Sequence, residues 1–85
     1  MKSNPLLGQA FIEAVNNQLE EGQPPETRQT LDRLVGEGIS RKKAIRLIAA
    51  VLAAEAYDVL KTKQPYSQKR YIQRLNQLPD LSFLK

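Results

Sequence analysis

The sequence contains no cysteine, no histidine and no tryptophan. Those absences exclude disulfides, thiolate and imidazole metal sites, Ser-His and Cys-His nucleophile systems, and the commonest general base. Glycine is scarce, at 4 residues, and aromatics make up 6% of the chain, so few positions invite tight turns or stacking. No period-2 apolar run bounded by turn residues occurs, nor any repeat or low-complexity tract, and no strand is predicted. The longest apolar run, Ala44 to Leu60, is shorter than the roughly 20 residues a membrane span needs, and Arg46, Glu55 and Asp58 interrupt it. The opening MKSNPLLGQAF has an early proline and no apolar h-region, so the expected location is cytoplasmic, with no membrane segment. A chain of 85 residues predicts a single domain, 1–85, whose small core needs close helix packing or a partner.

What is present reads as all-α, with four helices expected at about 5–21, 25–35, 41–62 and 68–78 and an apolar tail at 79–85. Asn4-Pro5 supplies an N-cap and a proline at the first helical position; Leu7, Phe11, Ala14 or Val15, and Leu19 follow at helical spacing, and Gly22 sits just past the end. Pro24-Pro25 restarts the chain as a short helix with Leu31, Leu34 and Val35 as its apolar contacts, and Gly36-Glu37-Gly38 stops it. Ser40 caps the third and longest helix, with Ile39 and Ala44 as a hydrophobic staple, and Pro65 ends it. Ser67 caps the fourth, with Tyr66 and Tyr71 as a second staple; Tyr71, Ile72, Leu75 and Leu78 form its apolar stripe. Leu81, Phe83 or Leu84 of the tail is expected to dock on the body or a partner.

The third helix organises the rest. At 3.6 residues per turn, Ile45, Ile48, Leu52 and Val59 gather on one side with Ala49 and Ala56 beside them, which predicts the core face. Opposite lie Ala50, Ala53, Ala54 and Tyr57 with Arg46, where a surface helix ordinarily carries Glu, Lys or Gln. Small residues let a second backbone approach, so this strip is expected to be covered by another helix of the chain or by the same helix of a second copy.

Charge is unevenly distributed. Residues 1–39 carry three basic and six acidic side chains, net −3, and residues 40–85 carry ten basic and three acidic, net +7, which together give +4. Such asymmetry fits a solvated surface, an acidic half meeting a basic half, or a site for a polyanion. Arg41-Lys42-Lys43, with Arg46 next along, occupy the first turns of the long helix, where the macrodipole disfavours cations by about 0.3–1 kcal/mol each. With the Ser40 hydroxyl and free backbone N–H groups they make a candidate contact for a phosphate or carboxylate. Alternatively, Glu37 pairs with Arg41 and the cations are only solvated. Residues 31–48 also resemble a helix-turn-helix, in which Arg41, Lys42, Lys43 and Arg46 would meet DNA, although the turn is long and the second helix continues for several apolar turns.

Tyr66, Tyr71, Lys69, Arg70 and Arg74 interleave aromatics and bases as a single-strand binder does, but the staple and core account for both tyrosines. Glu55 and Asp58 are the nearest approach to an acidic site. At that spacing they hold a metal only with ligands from elsewhere, and the plainer expectation is helix polarity, with Asp58 pairing with Lys61 or Thr62. No catalytic residue, cofactor site or metal ligand is expected.

Asn4-Pro5, Asn17-Gln18-Leu19, Pro24-Pro25, Leu31-x-x-Leu34, Gly38-Ile39-Ser40-Arg41 and Ala44-Ile45 together are similar to a family of small bacterial helical domains of no established activity. In that family the first helix carries H-x-x-x-H and the third a second such pair within S-R-H-E-A-I-H. Those four positions fall here at Gly8, Ile12, Lys42 and Arg46, so every histidine is replaced. The resemblance spans roughly residues 4–60 and implies a helical fold with the first helix set against the third. A metal bound by the family's histidines would be lost in this chain, leaving a cationic surface.

These features together predict a non-enzymatic, all-α protein-interaction or assembly module. It would pair with itself through Ala50, Ala53, Ala54 and Tyr57 or through the C-terminal tail, with another protein as a further partner. The alternative is a helix-turn-helix-like nucleic-acid binder acting through Ser40, Arg41, Lys42, Lys43 and Arg46.

Overall fold

A computed structural model of the chain describes the backbone of residues 5–82 and the side chains of residues 8–82. The expected cap Asn4, the Leu7 side chain and the tail residues Phe83 and Leu84 lie outside these described residues. Four helices are present, α1 (Pro5–Glu21), α2 (Pro25–Gly36), α3 (Arg41–Thr62) and α4 (Gln68–Gln77), and no strand occurs among the described residues. None of these helices is long and apolar enough to cross a membrane.

Local chemistry explains where each helix begins and stops. Ser40 Oγ accepts from Lys43 N and Ser67 Oγ from Arg70 N, both at 3.2 Å, each covering one otherwise orphaned donor of a first turn. Gly22, at φ 70°, takes the left-handed conformation that closes α1. The stop of α2 is set by Gly38 rather than Gly36. At φ 95° Gly38 turns the chain so that its own N–H reaches Val35 O at 3.0 Å and Ile39 N reaches Leu34 O at 3.1 Å, a Schellman closure. α3 ends without glycine, on Lys63 at φ 60°, with Lys63 N bonded to Val59 O. α4 stops one residue before Leu78, which adopts extended geometry ahead of Pro79.

α3 is central and packs against all three other helices, most extensively against α1. The core consists of Val15, Leu31, Leu34, Ala44, Ile48, Ala49, Val51, Tyr71, Leu75 and Leu78. On α3 the fully buried positions Ala44, Ile48, Val51 and Glu55 follow one another at i, i+4, i+7 and i+11. The core line is therefore rotated from the expected Ile45–Ile48–Leu52–Val59 face; Ile45, Leu52 and Val59 are half-buried, and Val51 is the residue that expectation missed. Val35, an expected contact of α2, is 45% exposed and Leu60 is 75% exposed.

A polar clamp joins three helices inside this core. Gln18 Oε1 of α1 accepts from the Thr27 hydroxyl of α2 at 2.7 Å and from the Tyr71 hydroxyl of α4 at 2.9 Å, and the two hydroxyls are 3.2 Å apart. Buried hydroxyls cost free energy unless paired, so the clamp fixes how α1, α2 and α4 meet. Burial pushes the Tyr71 phenol above its ordinary pKa, and the hydrogen bond with Thr27 opposes that shift. The staple geometry holds for Tyr66, whose ring lies 6.3 Å from that of Tyr71. Burial, with the Glu55 charge second, raises the Tyr66 phenol in the same direction.

Candidate functional site

Glu55 was expected to serve helix polarity; it is completely buried. Its Oε1 accepts from Arg70 Nε at 2.7 Å and lies 3.1 Å from Arg74 Nη1 as an ion pair, while Arg74 Nη2 donates to Asp58 Oδ2 at 2.7 Å. The bond to Glu55 raises the Arg70 guanidinium above its usual value against the effect of burial. Glu55 and Asp58 therefore hold α4 onto α3 through its two arginines. Asp58 does not pair with Lys61; Thr62 Oγ1 donates to the Asp58 main-chain oxygen at 2.7 Å, not to the carboxylate. The same ion pairs account for Arg70 and Arg74, and Tyr71 is buried, so these three belong to packing, while Lys69 and Tyr66 are exposed. Arg33 extends this pattern. Its Nη1 donates to Leu78 O at 2.8 Å, just past the end of α4, and its Nη2 to Leu75 O at 3.0 Å, which also accepts from Leu78 N at 3.1 Å.

The first turns of α3 differ. Arg41, Lys42, Lys43 and Arg46 are all exposed, and none has an ion-pair partner among the described residues. The expected Glu37–Arg41 pair does not form, because Glu37 is taken by Arg33 at 3.2 Å, one turn back on its own helix. Arg41, Lys42, Ile45 and Arg46 instead form one wall of an open cleft of about 680 Å³, and Gln9, Ile12 and Asn16 of α1 form the other. Lys42 and Arg46 make a ridge. On its far side a second opening of about 420 Å³ is lined by Ser40, Lys43, Leu47, Ala50 and Leu81. Leu81 is half-buried against the core, which places the first part of the tail beside the start of α3.

The α1 wall carried little signal in the sequence. Gln9, Ile12 and Asn16 share a helix face only by their i, i+3, i+7 spacing, and nothing local says that this face meets the start of α3. Gly8, Ile12, Lys42 and Arg46, one pair from each helix, all border the cleft or a smaller opening of about 210 Å³ that continues along α1 past Phe11, Ala49 and Ala53.

The strip of Ala50, Ala53, Ala54 and Tyr57 lies on the outside of α3. Tyr57 is 62% exposed, with the Lys61 ammonium 5.9 Å from its ring centre, and the three alanines are half-buried. Gly8 and Phe11 border Ala50 and Ala53 on one side and Leu81 borders Ala50 on the other, so Ala50 and Ala53 form the floor of a shallow trough. Of the two covers expected, a helix of this chain or of a second copy, the described residues supply only the α1 border, which leaves the alanines half-buried. Comparison with protein-family models, with curated protein sequences and with solved structures gave no match to this chain.

Proposed function

We propose that this chain is a non-enzymatic protein-interaction module that pairs with a copy of itself across the outer face of α3. The observation that carries this reading is the open trough floored by Ala50 and Ala53, with Tyr57 and Leu60 exposed on the same side of the helix. Methyl-only floors let two helix axes approach to about 8 Å, and covering an exposed Tyr or Leu contributes on the order of 1.5–3 kcal/mol each. The acidic side chains best placed for chemistry, Glu55 and Asp58, are tied to arginines, which supports binding over catalysis.

The competing nucleic-acid reading uses the same end of α3. Against it stands α1, which forms the neighbouring wall and carries Glu13, Glu20 and Glu21 with no base. A duplex lying across α3 brings its phosphates toward those carboxylates.

Self-pairing carries a signature of its own, because Lys42, Lys43 and Arg46 mark one end of the outer face and Lys61 the other. Two copies bring like charges together, and salt screens that repulsion, so dimerisation strengthens as ionic strength rises. Light scattering at low and high salt is expected to give a dimer that salt favours. Ala53→Arg is expected to give a monomer with unchanged helical circular dichroism. A wild-type mass equal to one chain at every salt concentration refutes the reading. Absorbance at 260 nm that disappears only as salt rises supports nucleic acid instead.

A further inference from the structure

We infer that the cleft between α1 and the start of α3 is a second binding surface, adjoining the outer face of α3 along the Lys42–Arg46 ridge, and that its occupant is a short acidic, apolar-centred segment of a partner protein. Charge carries the choice of sign. Every arginine outside this cleft is paired within the chain: Arg28 with Asp32, Arg33 with Glu37, Arg70 with Glu55 and Arg74 with Asp58. Arg41 and Arg46 are the exceptions, and they sit on the cleft wall with Lys42. Lys42 and Arg46 are also four apart on one helix, a like-charge pair that destabilises the helix it stands on. They stand at the positive end of that helix, which adds to the cost. Carboxylates from outside relieve both effects, and no carboxylate within the described chain does so.

The lining carries the choice between protein and nucleic acid. Ile12 and Ile45 are half-buried across from one another between the cations and the amides of Gln9 and Asn16. Apolar side chains have no use for a phosphodiester backbone, but they suit one or two leucines or isoleucines flanked by Asp or Glu. Gln9 and Asn16 add donors and acceptors for a peptide main chain. A volume of about 680 Å³ fits a segment of a few residues and not a folded domain.

The test is a fluorescence-anisotropy titration of the full chain into a labelled peptide with two adjacent leucines flanked on each side by glutamates. Saturable binding is expected. Lys42→Glu with Arg46→Glu is expected to weaken it at least about tenfold, and a peptide with serines for both leucines at least about fivefold. Both substituted side chains are exposed and carboxylates suit the positive end of α3, so the variant keeps its fold, which circular dichroism verifies. Amide NMR shifts are expected at Gln9, Ile12, Asn16 and Arg41. The inference is overturned if the peptide does not bind saturably, or if the serine peptide binds as tightly. It is also overturned if shifts spread evenly over Lys61, Lys63 and Lys69, or if a short DNA duplex binds more tightly than the peptide. None of these outcomes depends on oligomer mass, so a failed dimer and a failed cleft are told apart.

Discussion

Replacing Glu55 by glutamine keeps the shape of a fully buried side chain and removes its charge, which isolates what the carboxylate contributes to holding α4 on α3. Glu55 Oε1 accepts from Arg70 at 2.7 Å and forms an ion pair with Arg74 at 3.1 Å. Breaking a buried ion pair by removing one partner costs about 3–5 kcal/mol when the other charge stays buried and unpaired. Here the other charges are only partly trapped, because the Arg70 side chain is 33% exposed and Arg74 keeps Asp58 at 2.7 Å. The loss expected for Glu55→Gln therefore falls below that range, at about 2 kcal/mol, with Glu55→Ala costing about 3 kcal/mol or more because it also leaves a cavity. For a domain of this size 2 kcal/mol lowers the melting temperature by about 8–16 °C. Urea unfolding checks it as a lower midpoint at constant m-value. A double-mutant cycle with Arg74→Met is expected to show a coupling of about 1 kcal/mol or more. If Glu55→Gln lies within about 0.5 kcal/mol of the parent, the carboxylate does not hold the two helices together. A stabilised variant would mean that desolvating the charge outweighs its ion pairs.

Two further outcomes follow from the packing. Arg33→Met removes the guanidinium from Leu75 O and Leu78 O. Because that side chain is about a third exposed, the expected loss is about 1 kcal/mol, seen first as faster amide hydrogen exchange in the last turn of α4. Unchanged exchange there would show that water replaces the arginine at no cost. Tyr71→Phe leaves Gln18 and Thr27 short of one hydroxyl and is expected to cost about 1–2 kcal/mol at neutral pH. Burial raises the Tyr71 phenol, so the folded chain holds its proton more tightly than the unfolded chain, whose tyrosines titrate near about pH 10. The stability this contributes is complete below that pH and is lost as pH rises toward the folded value. Tyr71→Phe is expected to flatten the fall in melting temperature over this interval, and an identical slope in both proteins refutes the linkage.

The helix ends were legible because they are local. A serine three residues before the N–H it caps, or a glycine free to take positive φ, acts within one turn whatever the rest of the chain does. All four helices accordingly lie within one residue of the bounds the sequence implies, and the two serine caps form as expected. The apolar stripe of α4 was legible for a related reason. Its few apolar side chains all fall on one side, so only one face of that helix can turn inward.

The candidate site was legible by half. Arg41, Lys42, Lys43 and Arg46 stood out as cations at a helix start, and they are exposed as a binding surface requires. Of the opposite wall only Ile12 was indicated, by the resemblance that sets the first helix against the third; Gln9 and Asn16 were not, because their meaning comes from α1 packing along α3, a contact between residues some 30 positions apart. The expected Glu37–Arg41 pair failed for a tertiary reason too. The Arg33 guanidinium that takes Glu37 is held in place by the carbonyls of α4.

Sequence by itself determined that this chain is helical, where each helix starts and stops, and which stretch becomes the long central one. Only the tertiary structure decided how α3 is turned. Between Ala44 and Leu60 nearly every side chain is apolar, so several faces satisfy the 3.6-residue period about equally well. The choice fell to the neighbours. The two α4 arginines drew Glu55 inward with Ala44, Ile48 and Val51, and α1 closed over Ala49. That left Ala50, Ala53 and Tyr57 facing out beside the unpaired cations of the cleft.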